Sequence, residues 1–379
     1  MTDSEQKANI QTVGTESDRG LTGTEGLQHL KRVSRVKHLI LQKYFAPWAK
    51  ILGSANSKLA YVDCFAGPGQ YEMDNTPVEG SPVIAVREAV RLLQSGHVKS
   101  LSLHLVDDEP KHIESLKSRL EELERYPSNL DVNVKYADSR SFVPDLLKHL
   151  GSELPTFFLI DPYGHPLPLS TIRTILRRQR TEALINLMWF QINRDLNNPK
   201  VESRLNELFG TNDWRNAPFI HMHGPEREKA FLAYFISQLG ATYVLPFRIR
   251  YDVEDIQRGH RTKYYLLHAS NHAKAVLLMK EVMWPLGDEE GTFEYSGESQ
   301  GILISSTPTL DELENVLSRE FRGQELGFDE LRERTWILPF VEKHYREVLK
   351  RLDGKGRVAI HRITSKKTGI SGQDRIRFK

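Results

Sequence analysis

Tyr61-Val62-Asp63-Cys64-Phe65-Ala66-Gly67-Pro68-Gly69 is the stretch that decides how this chain is read. The apolar run 59–62 predicts a buried strand, which Gly67-Pro68-Gly69 then breaks. The next long helical pattern starts at Ser81-Pro82, where serine suits a cap and proline a first turn. A strand that delivers a glycine-rich turn brings backbone close to a ligand, because glycine has no Cβ to obstruct it. Asp63 sets this turn apart from a phosphate cradle. A carboxylate repels phosphate but suits a cationic amine or a ribose hydroxyl, and S-adenosylmethionine carries both groups.

Working outward, apolar runs at 101–106, 157–160 and 183–190 and a strand-like stretch at 132–136 predict further strands. Helical patterns at 83–93, 110–124, 141–149 and 169–178 separate them. Such alternation predicts an α/β fold: a Rossmann-like parallel sheet with right-handed crossovers. Near-continuous apolar strands imply helices on both faces. Four consecutive strands end in an acid: Asp63, Asp107, Asp138 and Asp161. One such aspartate would be read as a turn former or a helix cap. Four at one edge mark a site, since open α/β sheets bind ligands beyond the carboxyl ends of their strands.

Upstream, 28–52 is helical, with Lys31, Arg32, Arg35, Lys37 and Lys43 on its polar face. This face is either phosphate-facing or simply solvated. Downstream come a helix at 227–239, an antiparallel strand pair at 243–250 and 263–269, and a helix at 273–284. A Gly/Ser/Glu-rich stretch at 287–306 reads as a linker or a loose hairpin. Three helical patterns (311–321, 328–335, 340–352) and two strands (358–363, 374–378) then describe a winged helix-turn-helix. In that arrangement 340–352 is the recognition helix and 365–373 the wing. The expected division is a disordered tail 1–26, a methyltransferase-like domain 27–290, a linker 291–307 and the winged domain 308–379.

Net charge is only +2, yet 343–379 holds twelve Lys/Arg against three Asp/Glu. That segment carries +9 and the remainder −7, a segregation typical of polyanion binders. The candidate nucleic-acid contacts are Lys355, Arg357, Arg362, Lys366, Lys367 and Arg375. No run approaches the ~20 apolar residues that a membrane helix needs. The polar first 26 residues lack the apolar core of a secretory signal. Cys64, the single cysteine, excludes an internal disulfide, fits a reducing cytoplasm and reads as a small buried hydrophobe. No Walker motif or zinc spacing occurs, and the pairs His221/His223 and His268/His272 read as surface or capping residues.

The four strand ends resemble, in order, those of a class I methyltransferase. The resemblance implies that Asp63, Phe65, Ala66, Gly67 and Gly69 wrap the methionine end of S-adenosylmethionine. Asp107 would hold the ribose and Asp138 the adenine amine. Asp161-Pro162-Tyr163-Gly164 resembles the (D/N)PP(Y/F) motif of nucleic-acid amino-methyltransferases, lacking one proline and adding a glycine. The Asp-Pro-aromatic-Gly version looks closer to tRNA guanine-N2 methyltransferases. These four residues are the catalytic candidates: Asp161 and the Pro162 carbonyl accept from the amine, and Tyr163 stacks on a flipped base. Asn193 and Arg194 are further substrate candidates.

Lys37-His38-Leu39-Ile40-Leu41-Gln42-Lys43-Tyr44, the 61–69 turn, Gly80-Ser81-Pro82-Val83-Ile84-Ala85, Ile160–Gly164 and 185–194 together resemble the three-Cys-motif partner protein family. The C-terminal segment is similar to the winged helix of some members. The resemblance implies a prokaryotic protein working with a partner that carries three cysteines. The function expected is S-adenosylmethionine-dependent methylation of a base amine. The alternatives are a non-catalytic nucleic-acid and partner-binding module, or a nuclease or defence component active only with its partner.

Overall fold

In the computed structural model, residues 28, 30, 32–123, 126–164, 166–251, 261–287, 293–295, 309–363 and 369–379 are described. Helix α1 (Arg32–Gly53) precedes β1 (Leu59–Asp63) and a hairpin of β2 (Gln70–Met73) and β3 (Thr76–Glu79). Then come α2 (Ser81–Gln94), β4 (Leu101–Asp107), α3 (Pro110–Glu121), β5 (Leu130–Tyr136) and α4 (Ser139–His149). The alternation continues through β6 (Thr156–Ile160), α5 (Leu169–Leu176), β7 (Thr181–Leu187), α6 (Trp189–Asp195), α7 (Glu202–Phe209) and α8 (Gly224–Leu239). Strands β8 (Tyr243–Arg250) and β9 (Thr262–Ser270), helix α9 (Ala273–Met283) and the short β10 (Glu294–Tyr295) complete the large domain.

The sheet order is β10-β8-β9-β7-β6-β1-β4-β5, parallel except for β9, which runs against both its neighbours. With the hairpin and the two-residue β10 set aside, the third strand lies outermost, followed by the second, first, fourth and fifth. The seventh is then inserted antiparallel between the fifth and sixth. This is the class I methyltransferase topology. Strand alternation divides the core in two. Leu59 and Tyr61 pack against α1, α2 and α9, while Ala60 and Val62 pack against α5 and α8 on the other face.

The winged domain follows: α10 (Leu310–Glu320), β11 (Glu325–Gly327), α11 (Phe328–Arg334), α12 (Glu342–Gly354), β12 (Val358–His361) and β13 (Arg375–Phe378). It has its own core around Leu313, Leu331, Tyr345, Leu349 and Ile376. Its sheet order is β11-β13-β12. The expected tail 1–26, most of the linker 291–307, and Lys366 and Lys367 lie outside the described residues.

Three expectations need correction. The segment 70–80, expected as a loop, is the β2–β3 hairpin. Asp74 and Asn75 turn it with φ of 50° and 57°, the positive values that two-residue hairpin turns require. The strand expected at 183–190 stops at Leu187, because Trp189 opens α6. The helix expected from residue 28 starts at Arg32; Gln28 and Leu30 instead exchange backbone hydrogen bonds with Glu72 of β2, at 2.9 and 2.7 Å.

Candidate active site

Because β5, β4, β1 and β6 are adjacent and parallel, Asp138, Asp107, Asp63 and Asp161 emerge side by side along one sheet edge. Their environments differ sharply. Asp63 is wholly buried. Its carboxyl accepts from the Phe65 N–H at 3.3 Å and the Tyr61 hydroxyl at 3.2 Å. Burial pushes its pKa up to about 7, a rise that the Ser81 and Phe65 hydrogen bonds partly offset. Asp63 therefore holds the turn together from behind and does not face a ligand amine.

Gly67 and Gly69 adopt φ of 65° and 80°, which side chains disfavour. The turn is thereby folded so that the Gly67 N–H donates to Asp107 Oδ2 at 2.8 Å. Asp107 Oδ1 accepts from the Glu109 N–H at 3.0 Å and from His112 Nδ1 at 2.9 Å. That hydrogen bond raises the His112 pKa above its ordinary value despite the opposing effect of burial. A carboxylate offers about four lone-pair positions. Three are taken, and Oδ2 keeps one, which suits a ribose hydroxyl. Phe65 is half-buried in the turn, and the Ala66 N–H ties it to Val106 O at 2.8 Å. Asp138 is exposed and caps α4, accepting from the Arg140 N–H at 2.8 Å.

At the end of β6, Asp161 is held by two groups that the sequence reading did not connect with it. Lys37 Nζ of α1 lies 2.5 Å from Oδ2, and Asn186 Nδ2 of β7 donates to Oδ1 at 2.7 Å. The neighbouring His38 is buried, and burial together with the Lys37 charge lowers its pKa to about 4, so it is neutral. Asn186 is itself buried, and its Oδ1 has no partner among the described residues. Pro162 and Gly164 are buried, whereas Tyr163 is 72% exposed beside them. Gly164 has φ of 124°, and the position of a Cβ there would lie 4.0 Å from Gln191 Nε2, so α6 borders the motif. Asn193 and Arg194 sit on α6, with Arg194 3.7 Å from Asp195.

Tyr71 of the hairpin was not anticipated either. A Cβ at Gly67 would collide with its hydroxyl, and its ring lies 6.0 Å from that of His38. Burial first, then the negative charges of Asp161, Asp63 and Asp107, hold the phenol pKa above its ordinary value. Its hydroxyl therefore stands as a neutral group among the strand-end acids. The Asp74-Asn75 turn signal was present in the sequence, but nothing in it told which way Tyr71 points.

The histidine expectations hold in part. His272 caps α9, accepting from the Lys274 N–H at 3.2 Å. His268, expected at the surface or as a cap, is buried 3.0 Å from Glu182 Oε2, which also accepts from Tyr44. No cluster of metal-binding side chains occurs among the described residues. No helix of the described residues is long and apolar enough to cross a membrane.

Comparison with known proteins gives a match of residues 288–362 to the GMT-like wHTH domain family. No curated protein sequence matches the chain significantly. Among solved structures, protein LPL1258 from Legionella pneumophila str. Philadelphia 1 is similar with a TM-score of 0.39 and 13% identity. That likeness covers 67% of this chain and 92% of the other. Trm1 from Pyrococcus horikoshii, solved with S-adenosyl-L-methionine, gives 0.35 and 13%, covering 91% and 94%. MnmC2 from Aquifex aeolicus gives 0.33 and 13%, covering 65% of each chain. At scores this low, the topology described above stands on the strand order alone.

Proposed function

We propose that this chain is an S-adenosylmethionine-dependent methyltransferase acting on an exocyclic amine of a nucleic-acid base, with a three-cysteine partner protein. The observation that carries the reading is the row of strand-end acids, with exposed Asp138 at one end, the Asp161 motif at the other and the glycine turn bonded to Asp107 between them. Gly67, Gly69 and Asp107 would hold the cofactor, and exposed Asp138 is open to its adenine amine. When bound, the cofactor supplies an electrophilic methyl group.

The chain's own part is positioning. Asp161 and the Pro162 carbonyl accept from the amine, fixing its lone pair toward the incoming methyl. Tyr163 stacks on the extruded base. Calorimetric titration with S-adenosylmethionine tests the cofactor, and tritiated-methyl transfer to DNA, tRNA and rRNA, with and without the partner, tests the substrate. Absence of cofactor binding by the intact chain would remove the premise.

One observation favours the second reading, a binding module without turnover. The Lys37 ammonium beside Asp161 offsets the negative charge that would stabilise a developing ammonium. That reading expects Asp161→Ala to leave nucleic-acid binding and biological activity intact.

A further inference from the structure

We infer that the winged domain takes nucleic acid by its phosphate backbone on the open face of the β11-β13-β12 sheet, centred on Arg375 and Arg377, and not with the first turn of α12. The inference rests on the nucleic-acid reading above and adds where, and by which chemistry, the strand is held.

The face is set by alternation along β13, where Ile376 and Phe378 enter the core and Arg375 and Arg377 are exposed. Directly opposite, His361 of β12 pairs with Arg375, and Ala359 with Arg377. On the other side, Gly327 pairs with Arg375 and Glu325 with Arg377. Residues opposite one another in an antiparallel pair share a face, with Cβ atoms about 5 Å apart. Two arginines and a histidine thus stand together, flanked by the small residues Ala359 and Gly327 that leave the surface open. Glu325 is the one acid on this face among the described residues. It reaches Arg375 at 3.4 Å in an exposed pair, a contact too weak to compete with a polyanion.

The alternative surface is compromised. In helix-turn-helix readers, the N-terminal residues of the recognition helix meet base edges. Here that end of α12 lies under the large domain. The Glu342 N–H donates to Glu281 Oε1 at 2.7 Å, and His344 packs on Trp284 at 4.6 Å between ring centroids. The outer face of α12 is charge-balanced, with Arg346 paired to Glu342 and Arg351 to Glu347. The groove between it and Glu281, about 650 Å³, is lined by three acids and three bases. Of the residues expected to touch nucleic acid, Lys355 and Arg357 instead reach the buried carboxylate of Glu314, at 2.7 and 3.6 Å, and tie α12 to α10. Exposed arginines on a sheet face, with the first turn of α12 covered, suit phosphate oxygens, whose contacts position a duplex and carry no sequence information.

Fluorescence anisotropy of the full chain with labelled random-sequence DNA and RNA duplexes, across a salt series, tests this. R375Q/R377Q should weaken binding about tenfold or more at low salt. On DNA it should flatten the slope of log K against log salt by ~1.8, at about 0.9 per lost phosphate contact. K343Q/K350Q on α12 should leave both quantities unchanged, and unaltered melting of both variants excludes misfolding. The reverse ranking overturns the inference, as does displacement of the labelled duplex from the wild type by one unlabelled fixed-sequence duplex far more readily than by others of the same length. Failure of the wild type to bind either duplex also overturns it, and leaves the cofactor reading to its own calorimetric test. The tighter duplex identifies the nucleic acid.

Discussion

Lys37 Nζ stands 2.5 Å from Asp161 Oδ2, so the first helix, outside the sheet, secures the carboxylate at the end of β6. Both groups are largely buried, and Asn186 holds the second oxygen. An ion pair in this setting acts through geometry, because each charge is expensive to leave unpaired. Lys37→Met and Asp161→Asn should each destabilise the protein by about 1–3 kcal/mol. The double variant should lose less than their sum, with a coupling of about 1 kcal/mol or more. Denaturant unfolding of the four proteins measures it, and strictly additive losses would show that the two side chains act independently.

Gly67 and Gly210 both adopt left-handed φ, at 65° and 70°, but only Gly67 has a neighbour where a Cβ would stand. Alanine at either position should cost about 1 kcal/mol for its backbone conformation. At Gly67 the methyl must also displace the Tyr71 hydroxyl, and the N–H bonded to Asp107 moves with it. Gly67→Ala should therefore lose about 1–2 kcal/mol more than Gly210→Ala and weaken S-adenosylhomocysteine binding at least tenfold. Equal losses in the pair would mean that Tyr71 yields freely.

How far the sequence is informative follows from these residues. The parallel sheet and its acidic edge were legible, because the buried strands β1, β4 and β6 are apolar until polarity returns at Asp63, Asp107 and Asp161, and the partly exposed β5 alternates before Asp138. The winged domain was legible from helical periodicity ending in the Asp353-Gly354 stop. The partners of Asp161 were not. Lys37 lies more than a hundred residues upstream, on a helix whose other cations are alike in sequence, and only docking of α1 on the sheet selects it. Arg377 escaped notice for the same reason: its face depends on pairing with Ala359 and Glu325, which no local pattern states. Asp63 shows the opposite failure. Its motif position suggested ligand contact, yet full burial gives it a structural task.

Asp63 makes stability fall as pH rises. Its pKa is about 7 when folded against an ordinary 3.8, so between those values the folded chain binds more protons than the unfolded one. The stabilisation is complete below about pH 4 and is lost as pH climbs to about 7. The full effect is about 4 kcal/mol at most. Asp63→Asn keeps an acceptor for the Phe65 N–H and has no charge to bury. Melting temperatures from pH 4.5 to 8 should therefore fall more steeply for the wild type than for the variant, and parallel curves would rule out Asp63 as the titrating group.

Lys280 of α9 gives the opposite sign at the domain interface. Its side chain is buried, and Nζ donates to the backbone carbonyls of Trp336 at 2.9 Å and Leu338 at 2.6 Å. Burial first, and then the Arg332 charge, lowers its pKa from 10.5 to about 7. A neutral amine has two N–H groups, the number that these two carbonyls require. The folded chain therefore binds fewer protons than the unfolded one between about pH 7 and 10.5, and docking of the winged domain strengthens as pH rises through that window. Lys280→Met removes both the titration and the two donors, leaving the carbonyls buried and unpaired. The wild type should therefore gain about 2 kcal/mol on the variant between pH 7 and pH 9. Denaturant midpoints at each pH, followed by tryptophan fluorescence since Trp284 and Trp336 both flank this interface, give that difference directly. A difference that stays constant with pH would show that Lys280 remains charged beneath the winged domain.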